Sequence, residues 1–228
     1  MSATVQNPGA GGSAFDLVCL TASLGGVRAY AELLARLPQE FPAPVVLVQH
    51  RSAGRTDQLT AVLQRHCALP VVTLAAGRPL EAGTVHVVPA ERRAVFTSEG
   101  PVELRPADGY RAGDGVFTSA ARVYGPRLIA AVLTGRLDDG AAGVRHVKGA
   151  GGRVLAQDEA SCAPLGFQMP AAAIATGCVD FVLPLDVLAD AIVALVMNPG
   201  AAGMMRVALP PWARAVNPAA TPDPVVLL

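Results

Sequence analysis

Short apolar runs alternate along most of the chain with stretches whose apolar residues recur three and four positions apart. DLVCLT from Asp16, APVVLVQH from Ala43, RLIAAVLTG from Arg127, GGRVLAQD from Gly151 and DFVLPL from Asp180 read as strands. VRAYAELLARL from Val27, GRTDQLTAVLQRH from Gly54, DGVFTSAARVYG from Asp114, DGAAGVRHVKGAG from Asp139 and DVLADAIVALVM from Asp186 read as helices. Asp186 is a start signal for the last of these, and glycines stop the one before it. GTVHVVPA from Gly83 and RRAVFTS from Arg92 are expected to pair as an antiparallel hairpin around AERR. Strand, helix, strand in repetition predicts an α/β fold: a doubly wound, mostly parallel sheet with helices on both faces and an antiparallel β-hairpin. Residues 1–13 are expected to form a flexible N-terminus, 14–198 the folded domain, and 199–228 a Pro- and Ala-rich tail.

In such sheets ligands sit outside the carboxyl ends of the strands, so chemistry is sought just after each strand. Ser23 with the pair Gly25 and Gly26 follows the first strand, and His50 ends the second. GRLDDG, with Asp138 and Asp139, follows the strand that starts at Arg127, and Asp158, Glu159, Ser161 and Cys162 follow the one after it. A serine, a histidine and a carboxylate are the types that nucleophilic acyl transfer requires. The hydroxyl is a poor nucleophile until an imidazole takes its proton and a carboxylate holds the imidazole in the right tautomer.

Each residue also has a plainer reading. Ser23 is equally suited to capping a helix or to a phosphate loop, and Asp139 before Gly140 suits a helix cap. His66 and His146 fall in predicted helices and His86 in the predicted hairpin, which leaves His50 at the expected edge. The G-x-G-x-x-G, G-x-x-x-x-G-K and G-x-S-x-G motifs are absent, which disfavours a nucleotide site and a standard nucleophile elbow.

Composition narrows the partners. The chain has 228 residues, enough for one large α/β domain, with 18 basic and 18 acidic residues and zero formal net charge. That balance gives no sign of a nucleic-acid partner or an acidic membrane surface. The four cysteines, Cys19, Cys67, Cys162 and Cys178, show no metal-binding or disulfide spacing, so no metal and no cofactor is expected. The start lacks the pattern of a signal peptide, and the apolar stretch 171–197 is broken by Asp180, Pro184, Asp186 and Asp190, so no membrane insertion and a cytoplasmic location are expected.

The ordered series ASLGG, LPQEFPAPVVLVQH, GTVHVVPA, FTSAA, AVLTGRLDDGAAGV, GGRVLAQDEASC and MPAAAIATGCVDFVLPL resembles the catalytic domain of the bacterial chemotaxis protein-glutamate methylesterase, from about Phe15 to Leu195. The resemblance implies hydrolysis of glutamate methyl esters on the cytoplasmic domain of methylated chemoreceptors, with deamidation of certain glutamines. By position it implies Ser23 as nucleophile, His50 as base and Asp139 as the orienting carboxylate. It puts the oxyanion amide on Arg136, with Leu24, Gly25 and Met169 completing the oxyanion and substrate-binding set.

Family members usually carry an N-terminal phospho-receiver. About 14 residues precede the first strand here, so a stand-alone enzyme, controlled if at all by a separate regulatory or kinase partner, is expected. Arg136 and Leu137 replace the family's Met-Gly, and a positive φ at that second position would cost Leu137 about 1 kcal/mol. The segment APLGFQMP is about two residues longer than its counterpart, with Gln168 where glycine is usual. The alternatives are a binding or adaptor module of the same fold and an esterase for another protein or small ester, with Arg136 recruiting an anionic group.

Overall fold

The computed structural model describes residues 15–51, 58–98, 100–107 and 109–198. The expected flexible N-terminus and C-terminal tail lie outside these residues. Nine strands and six α-helices are described: β1 (Leu17–Ala22), α1 (Gly26–Leu34), β2 (Val45–Gln49), α2 (Leu59–Gln64), β3 (Val71–Thr73), β4 (Val85–Val87), β5 (Arg92–Thr97), β6 (Gly100–Pro106), α3 (Ala112–Tyr124), β7 (Leu128–Val132), α4 (Ala141–Gly149), β8 (Arg153–Gln157), α5 (Gln168–Ala175), β9 (Phe181–Leu183) and α6 (Leu185–Met197).

Seven strands form one sheet in the order β3-β4-β2-β1-β7-β8-β9, parallel at every pair. The chain enters at central β1, winds out through β2 to the β3–β4 edge, and returns to β7 on the other side of β1. The winding direction therefore reverses at β1, and a crevice opens beyond the ends of β1 and β7. β1, β2, β7 and β8 are buried along their whole length, which is why they read as unbroken apolar runs.

Alternate residues divide between two cores. Val18, Leu20, Val45, Leu47, Ile129 and Ala131 face the layer built by α1, α2 and α6. Leu17, Cys19, Val46, Val48, Ala130 and Val132 face α3, α4, α5 and the hairpin. Among the described residues no helix is long and apolar enough to cross a membrane.

The hairpin is built differently from expectation. β4 joins the main sheet, pairing in parallel with β2 (Val45↔Val85) and β3 (Val71↔Val85), while β5 pairs antiparallel with β6. The polar His86 gives β4 the alternation of a half-exposed strand, yet His86 is buried and its Nε2 accepts the Glu81 N–H at 3.1 Å. A satisfied buried histidine thus produces the pattern of a surface strand. His66 stands in the turn after α2 rather than in the helix. The short β3, the polar β6 and α5 carry weak periodicity and had no counterpart in the sequence reading.

Candidate functional site

Ala22 pairs with Gln49 and Thr21 with Val132, so the residues that follow β1, β2 and β7 emerge side by side. Ser23 donates its N–H to Thr134 O at 3.0 Å, and its carbonyl accepts the Gly26 N–H at 2.9 Å. The serine therefore lies on a tight turn into α1. The helix is capped by Gly25 at φ +79° with no side-chain hydrogen bond, so Ser23 does not act as its cap. A Cβ on Gly25 would lie 2.3 Å from Ala163 Cβ, so both conformation and packing demand glycine there.

His50 follows β2 and is half-buried. Gln49 binds the two segments together: its Nε2 donates to Ser23 O at 2.8 Å and to His50 O at 3.3 Å. A cleft of about 260 Å³ opens beside His50, lined among others by Arg51, Pro89, Arg92 and Tyr110.

Asp139 is fully buried, and its oxygens do not cap α4, whose N-cap is Gly140 with no side-chain bond. They turn instead to the N-terminus of α3: Oδ2 accepts the Gly113 N–H and Oδ1 the Asp114 N–H, each at 2.8 Å. Oδ2 also lies 2.9 Å from His50 Nε2. The contact is close but oblique, because Nε2 has no well-directed hydrogen bond, and Ser23 makes none to His50 among the described residues. The two backbone donors at the start of α3 fix the orientation of this buried carboxylate.

The neighbouring Asp138 is half-exposed and takes a hydrogen bond from Arg111 at 2.9 Å. Arg111 also binds Asp114 at 3.1 Å, tying the Asp138–Asp139 loop to the start of α3. Burial raises the Asp114 carboxyl, against the pull of the Gly143 N–H and Arg111.

Thr134, which the sequence reading missed, joins the three loops of the site. Its Oγ1 donates to Leu24 O at 3.0 Å and accepts the Ala163 N–H at 3.1 Å. Beyond it, the Gly135 N–H binds Gly166 O at 2.6 Å, and Gly135 O accepts the Met169 N–H at 3.0 Å. A Cβ on Gly135 would meet Met169 Sδ at 2.0 Å and Ser23 Cβ at 3.0 Å, so Met169 is buried behind the loop while Ser23 stands against it. Arg136 is exposed, and its N–H has no acceptor among the described residues, nor have those of Leu24 and Gly25. Leu137 has φ +65° and is 53% exposed; its N–H binds Gln168 Oε1 at 2.9 Å.

Cys162 is half-buried on the loop after β8. Burial pushes its thiol up to about 11, against a hydrogen bond with Thr134, so near neutral pH it is a protonated, weak nucleophile. Among the described residues no group of three or more His, Cys, Asp or Glu side chains is placed to hold a metal ion.

The CheB methylesterase family model matches residues 18–192. A protein-glutamate methylesterase/protein-glutamine glutaminase of Anaeromyxobacter dehalogenans is 45% identical over 175 residues, which are 75% of this chain and 50% of that protein. The protein-glutamate methylesterase FrzG of Myxococcus xanthus is 39% identical over 176 residues, 75% of this chain and 52% of its own. The chain thus spans about half the length of the curated relatives it matches. The crystal structure of the Thermotoga maritima CheB methylesterase catalytic domain superimposes with a TM-score of 0.74 at 31% identity, covering 80% of this chain and 99% of that one. With a family match over most of the chain and the same fold in a solved catalytic domain, this chain belongs to the CheB methylesterase family.

Proposed function

We propose that the chain is a cytoplasmic serine hydrolase that removes methyl esters from glutamate side chains of chemoreceptors and deamidates glutamines at the same kind of site. The observation that carries this reading is the buried Asp139 carboxylate 2.9 Å from His50 Nε2, on loops that emerge beside Ser23. Ser23 Oγ attacks the ester carbonyl and forms the bond to carbon. The His50 nitrogen that faces away from Asp139, Nδ1, takes the serine proton. Asp139 holds the ring and stabilises the imidazolium. The negative oxygen that develops is received by the Arg136 N–H with the amides of the Ser23 turn, each such donor contributing about 3 kcal/mol to the transition state. The imidazolium of His50 then protonates the departing methoxy oxygen as its bond to carbon breaks, releasing methanol, and water hydrolyses the acyl-enzyme by the same proton path.

The test is methanol release from methylated receptor fragments by the native protein and by Ser23→Ala. Release that vanishes in the variant supports the serine mechanism. Binding of the fragments without release from either protein would replace it with a binding module.

A further inference from the structure

Three successive amides after β7 have different fates. Gly135 gives its N–H to Gly166 O, and Leu137 gives its N–H to Gln168 Oε1, while the Arg136 N–H between them has no acceptor among the described residues. The carbonyl of the Gly135–Arg136 peptide is held by the Met169 N–H at 3.0 Å. A trans peptide points its N–H opposite to its C=O, so this bond turns the Arg136 N–H away from α5. Residues 168 and 169, at the first turn of α5, thus grip the loop on both sides of one spare donor.

Leu137 is the weak point of this arrangement. It is a non-glycine residue at φ +65°, where its Cβ crowds the backbone, and its side chain is 53% exposed and contributes little packing. Asp138 and Asp139 anchor the loop on its far side, to Arg111 and to the start of α3, while at Leu137 itself the bond from its N–H to Gln168 Oε1, made across 31 residues of sequence, opposes relaxation.

We propose that Gln168 is a positioning residue: by accepting the Leu137 N–H it holds a strained turn in place and so fixes the preceding Arg136 amide as the oxyanion donor. This rests on the hydrolase reading above, in which that amide meets the developing charge. Gln168 touches no reacting atom. Its loss acts on the fraction of molecules whose loop is correctly set, and therefore on turnover more than on substrate binding.

The variants are Gln168→Met, which keeps length and removes the acceptor, and Gln168→Met combined with Leu137→Gly. Three readouts are used: kcat and KM for methanol release, the rate at which a fluorophosphonate probe phosphonylates Ser23 with loss of fluoride, and hydrogen exchange at the Leu137 amide. Gln168→Met is expected to lower kcat and the phosphonylation rate roughly five-fold, about 1 kcal/mol at 1.36 kcal/mol per tenfold. KM should stay within about two-fold, and exchange at Leu137 should quicken. Leu137→Gly should restore most of the rate, because glycine takes the same φ without strain, whereas a merely structural role for Gln168 in α5 would not be rescued at residue 137. Unchanged Leu137 exchange, or a rate loss that Leu137→Gly leaves untouched, overturns the proposal. Absence of methanol release with normal probe labelling removes the substrate assignment and leaves the role of Gln168 to be decided by the probe. Absence of labelling removes the hydrolase reading, and with it the oxyanion role proposed for Gln168.

Discussion

Replacing Asp139 by asparagine alters the side chain by one group and separates two roles of the carboxylate. The native side chain is fully buried and presents two acceptor oxygens, one to the Asp114 N–H and one to the Gly113 N–H, each at 2.8 Å. Asparagine has one acceptor. Whichever way its amide turns, its NH2 faces a backbone N–H at the start of α3, leaving a buried donor unpaired at about 1–3 kcal/mol. The negative charge at the helix N-terminus is lost as well, at about 1 kcal/mol. The unfolding free energy should therefore fall by about 2–4 kcal/mol, which for a domain of this size lowers Tm by about 4–16 °C. Urea unfolding should show a lower midpoint at unchanged slope.

Catalysis should suffer separately, since an amide NH2 facing His50 Nε2 in place of Oδ2 favours the wrong tautomer. In a serine triad that change lowers kcat by about 10⁴-fold. Activity is to be read well below the variant's own unfolding midpoint. A variant destabilised by less than about 0.5 kcal/mol would refute the hydrogen-bond account of Asp139. A destabilised variant with native kcat would refute its action on His50.

Two further predictions concern groups outside the site. Burial lowers the pKa of His86 below its ordinary 6.5, so the folded protein favours the neutral ring and the unfolded chain binds more protons. Its contribution to stability should be complete above pH 6.5 and be lost as pH falls below it; His86→Gln should flatten this slope in urea midpoints taken from pH 8 to pH 5, and parallel slopes would contradict it. Lys148 is 3% exposed and paired with the buried Asp180, whose Oδ2 also accepts the Val154 N–H at 2.8 Å. Lys148→Met should cost about 3–5 kcal/mol by stranding the carboxylate, and adding Asp180→Asn should recover part of that loss; a single variant within 1 kcal/mol of native would show the pair to be dispensable.

The strand ends were legible in the sequence because a parallel sheet collects all of them at one edge. Once DLVCLT, APVVLVQH and RLIAAVLTG read as buried strands, Ser23, His50 and the Asp138–Asp139 pair had to arrive there together. The family pattern marks residue 137 as a place where a positive φ would strain a leucine, and only the folded chain shows that Leu137 adopts one, at +65°. The placement of β4 is not legible in the sequence, because the partner that lets the polar His86 be buried, the Glu81 N–H, is supplied only by the folded chain.

By itself, then, the sequence determined the layers, the winding and the residue types at the sheet edge, all of which follow from local periodicity and chain connectivity. Tertiary structure decided how those residues are held. Asp139 binds amides 25 and 26 residues away, Thr134 reaches Leu24 across 110 residues, and Gln168 reaches Leu137 across 31. Bonds of that span leave no periodic trace, because their geometry exists only after helices and strands have packed.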